Sequence, residues 1–493
     1  MKDSAQNRYS KICKACDSVL LSGNSRPEII AINFLHVIIR GTSTSLQTYA
    51  YLFNNEFWLY RIIRHCYLFI KNILGIFYNV ACSIFYRTQK FEDATHNIDF
   101  LFISHYTGIK DGLTHYQDSY FGEMVNQLCQ NQKSSVVAYI NHTKNQDVVF
   151  QKKSGVLPIL LRNSTSFVNL IKIYRGLFGA YQSLRKTNNS LLLKVMEQAK
   201  ISVLSRSTVR NLILADQVGN IIKRYSPNCI IATYEGHAWE RLVFSVARGV
   251  NPNIKCISYQ HAPLFKFQHA IRRNLDQQYN PDIILTSGQV SATQLQSLNE
   301  LDKVRISVIG SGRQIISEAS NSSRQTELDL VSCLVTPEGT MDECNLIFEF
   351  SLRCAKNIKD INYIFRFPPM INIDLLIKHN KKFRNLPDNI TISELSLLKD
   401  ISRSNVILYR GSSVVIQAVV FGLKPIYLKV NNEFTIDPLY EITEGREIVT
   451  NIEEFELSLS KNIDTNIKEE LVNYCKVMYT PLDIGVLENE LNN

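Results

Sequence analysis

The chain has 493 residues, of which 45 % are hydrophobic and 20 % are charged. This length exceeds one ordinary core and predicts two globular domains, while the composition excludes a disordered or low-complexity protein. The net charge of +9 is uneven, because residues 1–90 hold eleven Lys and Arg against four Asp and Glu. The rest of the chain is nearly neutral, which excludes a chain-wide nucleic-acid-binding surface, and we expect no nucleic-acid partner.

Residues 1–95 form a basic, aromatic segment that we expect to be a mainly helical extension. Its apolar part runs from Phe57 to Arg87, and the longest charge-free run in it, Asn72 to Tyr86, is shorter than the roughly 20 residues that span a bilayer. Three interpretations stay open. The segment forms a helix at an anionic membrane surface, a helix buried against the domains, or a spanning helix in which Lys71 snorkels.

The eleven cysteines are odd in number, and several lie inside apolar runs. This pattern favours a reducing compartment. Cys13 and Cys16 form a single CxxC with no second pair at zinc spacing, so we interpret them as ordinary thiols and expect no metal site. The chain does not open with an apolar run and a cleavage site, and the expected location is the cytoplasm.

Residues 96–315 alternate short β-rich runs with helical stretches, a pattern typical of parallel strands in βαβ units. We predict a Rossmann-like domain here. The expected strands are 98–104, 134–140, 228–235, 255–260, 282–288 and 304–310. The Leu- and Ile-rich part from Gly155 to Lys200 is interpreted as inserted helices.

A polar stretch, 318–327, is expected to be a linker, after which the α/β pattern restarts over 328–493. The second set of expected strands is 330–337, 362–369, 389–393, 405–411 and 424–430. The predicted fold class is therefore α/β, with two Rossmann-like domains facing a cleft. Ligands in such sheets bind at the carboxyl ends of the strands, so the residues that end each strand form the candidate site.

In the second domain, the expected strand 405–411 runs into a small-residue turn and a helix. Such a turn offers backbone N–H groups and hydroxyls to a phosphate; the alternative is a plain strand–turn–helix with Ser as N-cap. Glu338 is either an acceptor for a ribose or base, or a carboxylate at a helix N-terminus. The candidate nucleotide-binding residues are Glu338, Gly339, Arg366, Arg410, Gly411, Ser412 and Ser413.

In the first domain, neighbouring strand ends carry a carboxylate, imidazoles and a tryptophan. Glu235 and His261 are the candidate catalytic residues, as a general base or nucleophile and its partner. The structural alternatives are that Glu240 is solvated on its helix and that Trp239 belongs to the core. The candidate substrate-binding residues are His105, His237, Trp239 and Gln260.

The second domain resembles the donor domain of nucleotide-sugar glycosyltransferases of the GT-B fold. The turn at Ser412-Ser413 and the following Gly422-Leu423-Lys424-Pro425-Ile426 are similar to their motif, with one extra residue between Gly and Pro. Phe365–Pro369 stands where bacterial sialyltransferases and Kdo transferases carry His-Pro. Phe367 occupies the His position, and the implied phosphate contact shifts to Arg366.

The first domain resembles bacterial surface-carbohydrate biosynthesis proteins related to Kdo and capsule glycosyltransferases. The resemblance rests on YEGHAWE (234–240), SYQHAP (258–263) and SHYT (104–107), and that of the two domains together covers about residues 98–450. It implies transfer of a sugar from a nucleotide-sugar to a surface polysaccharide or lipid-linked glycan. A CMP-ulosonic acid such as Kdo is the first-choice donor, and UDP- or GDP-sugars come next.

No cofactor is implied, and the lack of a DxD-like motif at a strand end predicts a metal-independent transfer. The expected partners are the nucleotide-sugar donor, a glycan or lipid-linked acceptor, and the inner face of the cytoplasmic membrane. Two alternatives stay open. One is a non-hydrolysing sugar-nucleotide epimerase with the same two-domain layout, and the other is a non-catalytic scaffold of polysaccharide assembly.

Overall fold

The chain forms two parallel β-sheets with helices packed on both faces of each sheet. The computed structural model describes residues 5–22, 26–38, 49, 52, 58–86, 97–108, 118–143, 150, 155–184, 189–297, 299–312, 331–431 and 433–492.

The first sheet has the strand order β3-β2-β1-β4-β5-β6-β7, and all neighbours are parallel. In β1, Phe100 and Phe102 pack on one face of the sheet, and Leu101 and Ile103 pack on the other. Because both faces are covered, the strands are nearly continuous apolar runs, and each of the six expected runs contains a strand. The strands are β1 (Phe100–Tyr106), β2 (Ser135–Asn141), β3 (Val156–Leu161), β4 (Cys229–Thr233), β5 (Lys255–Gln260), β6 (Ile283–Thr286) and β7 (Arg305–Val308).

The interpretation of residues 155–200 as helices is wrong at its start, where β3 forms the edge strand. A short apolar run has no periodicity that separates a strand from a helix. Pro158 pairs with Val137 in this strand, and proline is tolerated there because an edge strand has one side without a partner. Helices at Phe167–Ser183 and Ser190–Val203 follow the strand, as expected.

Helices flank this sheet and continue into the N-terminal segment. They are α1 (Ala5–Leu20), α2 (Pro27–Ile30), α3 (Trp58–Ile84), α4 (Met124–Gln130), α5 (Phe167–Ser183), α6 (Ser190–Val203), α7 (Arg206–Tyr225), α8 (Ala238–Val250), α9 (His269–Arg272) and α10 (Gln289–Gln296). Short 3-10 turns cover Asn33–His36, Gln277–Tyr279 and Asn299–Leu301.

The second sheet is also parallel and has the order β10-β9-β8-β11-β12-β13. Its strands are β8 (Val331–Thr336), β9 (Ile361–Phe365), β10 (Ile390–Ile392), β11 (Val406–Tyr409), β12 (Lys424–Leu428) and β13 (Glu447–Val449). Its helices are α11 (Met341–Asn357), α12 (Ile373–His379), α13 (Leu397–Ser402), α14 (Val414–Val420), α15 (Ile452–Ser460) and α16 (Thr465–Lys476), with a 3-10 turn at Lys381–Arg384. The predicted α/β class with two Rossmann-like domains is confirmed.

Part of the N-terminal segment packs into the first domain. Helix α1 and the chain at residues 26–38 share one apolar core with α5, α6 and α7. Asp17 accepts hydrogen bonds from Arg273 (2.8 Å) and His269 (2.7 Å), and the side chain of Arg273 is 3 % exposed. The predicted boundaries at residues 95, 315 and 328 and the linker 318–327 lie outside the described residues.

The end of the chain returns from the second domain to the first. Helix α17 (Ile484–Asn492) packs on the first sheet, and Glu490 binds Arg305 and Ser307, each at 2.6 Å. On the way the chain passes Gly310, whose φ is +87°. A Cβ at Gly310 would overlap the carbonyl group of Pro481, so this close approach requires glycine.

A cavity of about 180 Å³ lies between the two domains. Lys266, in the loop after β5, lines it together with Tyr427 and Lys429 at the end of β12. Nearby, the rings of Phe267 and Phe434 meet across the domain boundary with centroids 5.0 Å apart. The carboxyl ends of the two sheets therefore face each other here.

We expect Gly310→Ala to destabilise the protein by at least about 2 kcal/mol, because alanine is strained at positive φ and its Cβ displaces the returning chain. The control is Gly249→Ala in α8, where an added Cβ meets nothing within 4 Å. That change removes a helical glycine and leaves stability equal or slightly higher. Urea unfolding of both variants measures the difference, and equal stability would contradict the close approach at Pro481.

Candidate active site

The turn after β4 is held by one buried carboxylate. Glu240, in the first turn of α8, is 1 % exposed and accepts hydrogen bonds from three consecutive backbone N–H groups. The donors are Glu235 (3.0 Å), Gly236 (2.7 Å) and His237 (2.7 Å). Gly236 has a φ of +82°, and a Cβ there would overlap the backbone at Ala270. The alternative that Glu240 is solvated is therefore wrong.

Burial has an electrostatic consequence for this carboxylate. Loss of solvent raises the pKa of Glu240 to about 7, although nearby His237, Arg241 and the backbone N–H donors act in the opposite direction. Arg241 is itself fully buried and donates to the carbonyl oxygens of Ala270 (2.9 Å) and Arg273 (2.7 Å). The base of the site is thus a network of buried polar groups with hydrogen-bond partners.

The same turn places the carboxylate of Glu235 between two imidazoles. Its Oε2 lies 3.1 Å from His237 Nε2, and its Oε1 lies 4.0 Å from His261 Nε2. The Glu235 side chain is 14 % exposed, and that of His237 is 24 % exposed. The structure thus brings these three predicted residues together, with the carboxylate partly open to solvent.

His105, which belongs to the end of β1, joins this group from the neighbouring strand. Its two ring nitrogens contact His142 Nε2 (2.9 Å) and Thr233 Oγ1 (3.1 Å). The ring of Trp239 meets that of His105 edge-on at 5.4 Å. Trp239 is only 8 % exposed, so it packs in the core and also forms the wall behind His105.

Tyr120 connects His105 to His261 across the site. Its ring centroid lies 4.8 Å from that of His105 and 5.0 Å from that of His261. Asp118 orients the tyrosine by accepting hydrogen bonds from the backbone N–H groups of Tyr120 (2.8 Å) and Phe121 (2.7 Å), a local turn that aspartate favours. Burial raises the pKa of Asp118.

Gln260, the last residue of β5, is 1 % exposed. Among the described residues, neither Oε1 nor Nε2 of its side chain has a hydrogen-bond partner. An unsatisfied buried amide costs about 1–3 kcal/mol, and a catalytic role or a bound water or ion is among the explanations for such a group. The side-chain amide of Gln260, at the strand end next to His261, can therefore donate and accept hydrogen bonds with a ligand.

The topology explains why these residues meet. In the first sheet β1 and β4 are neighbours, and the chain runs outward from them in opposite directions. Side chains that follow these strands surround the crevice at this switch point, where open α/β sheets bind ligands.

The second sheet has the same switch point, between β8 and β11. Thr336 ends β8, and its buried Oγ1 has no hydrogen-bond partner among the described residues. A Cβ at Gly411 would meet the side chain of Glu338 at about 3.1 Å, so the loops after β8 and β11 touch. Ser412 is buried, while Ser413 is half-buried and Gly339 is exposed.

Arg410 points away from solvent. It is 1 % exposed and donates hydrogen bonds to Glu343 (2.8 Å), Glu433 (2.8 Å) and the carbonyl oxygen of Leu428 (3.0 Å). These contacts fix the start of the turn 410–413 against α11 and β12. Its predicted contact with a phosphate stays a prediction.

Arg366 follows β9 and is held by a buried acid. Its Nη1 lies 2.6 Å from Asp400 Oδ2, and Asp400 is fully buried. The Arg366 side chain remains 27 % exposed, so the ion pair fixes a side chain that is still partly open to solvent. The adjacent Phe367 packs against Phe348. The nucleotide role of Arg366 also stays a prediction.

The sequence prediction missed three residues of the candidate site, namely Tyr120, His142 and Asp118. His142 directly follows β2, so attention to every strand end would have found it. Tyr120 and Asp118 belong to a loop whose sequence carries no periodic signal. No group of three or more His, Cys, Asp or Glu side chains in the described ranges is arranged to hold a metal ion.

No family model and no curated protein matches this chain. Solved structures with a similar outline include MurG of Acinetobacter baumannii (10 % identity, TM-score 0.45, 81 % of this chain and 99 % of that chain). Another is a UDP-forming α,α-trehalose-phosphate synthase of Burkholderia vietnamiensis (10 % identity, TM-score 0.47, 82 % of this chain and 98 % of that chain). A third is the UDP-GlcNAc 2-epimerase of Neisseria meningitidis bound to UDP-GlcNAc (13 % identity, TM-score 0.43, 80 % of this chain and 100 % of that chain). Likenesses at this level assign no reaction or substrate, and the chain's own sheets define it as a two-domain α/β protein.

Replacing Glu240 with Gln tests the buried carboxylate. A folded-state pKa of about 7, above the ordinary 4.5, means that the folded protein binds this proton more tightly than the unfolded chain. The resulting stability, up to about 3 kcal/mol, is fully present below pH 4.5 and is lost as the pH rises through 7. We expect the free energy of unfolding of Glu240→Gln, measured with urea, to change less with pH between about 4.5 and 7 than that of the parent protein.

The matched control is Glu300→Gln at an exposed position, which we expect to keep the slope of the parent protein. A Glu240→Gln variant with an unchanged slope would show that another group causes the pH dependence.

Proposed function

We propose that this protein is a glycosyltransferase that moves a sugar from a nucleotide-sugar to a surface polysaccharide or lipid-linked glycan. The observation that carries the proposal is the cluster of Glu235, His237 and His261 at the switch point of the first sheet. A partly exposed carboxylate between imidazoles suits deprotonation of an acceptor hydroxyl or attack on an anomeric carbon.

The residues of the first domain have separate roles in this proposal. Glu235 is the general base or nucleophile, and His261 and His237 stabilise its charged form or accept its proton. Glu240 is a positioning residue, because it holds the backbone that carries Glu235. The unpartnered amide of Gln260 gives a sugar hydroxyl both a donor and an acceptor.

The second domain binds the nucleotide in this proposal. The ends of β9, β8 and β11 lie side by side, so the chain segments that carry Arg366, Glu338 and the turn 410–413 leave the same edge of the sheet. Thr336 and Ser413 add hydroxyl groups. Arg410 positions the turn from behind, since its contacts are to Glu343, Glu433 and Leu428.

Negative charge on the leaving nucleotide is met by protein cations and dipoles in a metal-independent transfer. Lys266 and Lys429 line the cavity between the domains and supply two further positive charges there. The first-choice donor remains a CMP-ulosonic acid, with UDP- and GDP-sugars next, and the reaction takes place on the cytoplasmic side of the membrane.

A screen of CMP-, UDP- and GDP-sugars for thermal stabilisation tests the donor site. A true donor at about 100 times its dissociation constant adds roughly 2.7 kcal/mol to stability. We expect one nucleotide class to raise the melting temperature and the other two to leave it unchanged. If no class has an effect, the second domain does not bind nucleotide-sugars and the proposal fails.

Glu235→Gln tests the chemistry, because the amide keeps the shape and removes the base. We expect turnover to fall by at least about a hundredfold with nucleotide affinity nearly intact, since the other domain holds the nucleotide. Turnover and nucleotide titration are measured on one preparation, with Glu300→Gln as the matched control.

Near-normal turnover in Glu235→Gln would exclude Glu235 as base or nucleophile. Interconversion of two nucleotide-sugars without an acceptor would instead identify the epimerase alternative, because an epimerase needs no acceptor. A folded protein that binds the donor and turns over nothing with any acceptor would favour the scaffold.

A further inference from the structure

Helix α3 is attached to the first domain along only one of its faces. Asn72 donates a hydrogen bond to the carbonyl oxygen of Ile201 (2.7 Å), and Asn79, two turns later, donates to the hydroxyl of Tyr174 (3.0 Å). Arg64 donates to Gln198 (3.0 Å) near the start of the helix. These polar contacts fix α3 against α5 and α6.

The opposite face of α3 is apolar and exposed to solvent. At 100° per residue its exposed side chains fall on one broad side of the helix, away from Asn72 and Asn79. The side chain of Phe77 is 68 % exposed, and that of Phe69 is 62 % exposed. The exposed large apolar side chains of α3 are Leu59, Ile62, Ile63, Tyr67, Phe69, Ile70, Leu74, Phe77, Tyr78 and Ile84.

Helix α5, which α3 contacts, also exposes apolar side chains. Five of its large apolar side chains are exposed, namely Phe167, Val168, Ile171, Phe178 and Tyr181. Soluble proteins rarely expose contiguous apolar patches of this kind unless the patch binds something. We call the exposed apolar side chains of α3 and α5 the two-helix face.

Charge favours a negative partner for the two-helix face. Neither α3 nor α5 contains an Asp or Glu, whereas together they contain five Lys and Arg. Lys71 on α3 and Lys172 and Arg175 on α5 are exposed. An apolar surface bordered by cations is typical of helices that lie in the headgroup region of anionic membranes.

A cleft beside the two-helix face adds a place for a headgroup. It has a volume of about 440 Å³ and is lined by Arg26, Lys172 and Arg175, with Glu28 and two glycines of α5 on its wall. A Cβ at Gly176 would overlap Glu28 of α2, so the glycine lets α2 approach α5. Three cations against one carboxylate suit a phosphate group.

We propose that the two-helix face docks on an anionic phospholipid bilayer, with α3 and α5 lying in the plane of the interface. The cleft of Arg26, Lys172 and Arg175 receives a lipid phosphate. That docking brings the enzyme to a membrane-bound acceptor rests on the proposed function. Binding to lipid itself does not depend on the reaction.

An orientation in the plane follows from how α3 is attached. By length and composition, one stretch among the described residues, Ile62–Ile84, is long and apolar enough to cross a membrane. Crossing would separate Asn72 and Asn79 from their partners on α6 and α5, and would leave polar groups in hydrocarbon. Lying flat keeps these bonds and buries the exposed face.

The test is flotation of the full-length protein with vesicles of phosphatidylcholine, alone or mixed with phosphatidylglycerol, at low and high salt. We expect binding to the mixed vesicles that weakens with salt. Phe69→Glu combined with Phe178→Glu should abolish it. The matched control, Leu457→Glu, replaces a side chain that is 64 % exposed on α15 and should bind as the parent does.

The cleft has its own variant, Lys172→Gln combined with Arg175→Gln. Each basic side chain near an anionic surface contributes roughly a fivefold factor, so we expect about a 25-fold loss on mixed vesicles and little change on phosphatidylcholine. The control, Lys381→Gln combined with Arg384→Gln, removes two exposed charges of the second domain and should have no effect.

Three outcomes would overturn the proposal. Equal binding by parent and Phe69→Glu/Phe178→Glu proteins would remove the two-helix face as the docking site. Resistance to extraction from membranes at high salt and alkaline pH would show that α3 spans. A dimer that the same double variant dissociates would make a second copy the occupant. Nucleotide titration of each variant separates these failures from failure of the proposed function, because the donor site is elsewhere.

Discussion

The carboxylate of Glu240 determines the geometry of the candidate site, because three backbone N–H groups in a row depend on it as their acceptor. Without it, the donors at the turn after β4 would be buried and unsatisfied. The turn carries Glu235 and His237 and leads directly into α8, which carries Trp239. The position of the Glu235 carboxylate relative to His261 therefore depends on Glu240, which is buried beneath the turn.

The two domains place polar groups at the ends of their apolar strands in the same way. In each sheet the strands at the switch point, β1 with β4 and β8 with β11, are buried on both sides and end in a crevice. In both, a buried arginine, Arg241 or Arg410, lies behind the turn and donates hydrogen bonds to neighbouring protein groups. These buried cations stabilise the loops, while the groups open to solvent are left for a ligand.

The apolar and basic character of the N-terminal segment has two different physical outcomes. Helix α1 buries its apolar side chains in the core shared with α5 to α7, and Asp17 fixes it through Arg273. Helix α3 is instead attached through Asn72 and Asn79 and leaves most of its large apolar side chains exposed. This arrangement is the inverse of the usual amphipathic surface helix, whose apolar stripe faces the core.

The sequence by itself determined the α/β class, most of the strands and the candidates Glu235 and His261, because parallel strands buried on both faces must be apolar and ligands gather at their ends. The tertiary structure decided what depends on register and burial. It placed His142 beside His105, buried Glu240, and engaged Arg366 with Asp400. It also made 156–161 a strand and gave α3 one attached face. Local patterns report which residues avoid water, whereas only the packed chain shows which polar groups are left facing one another.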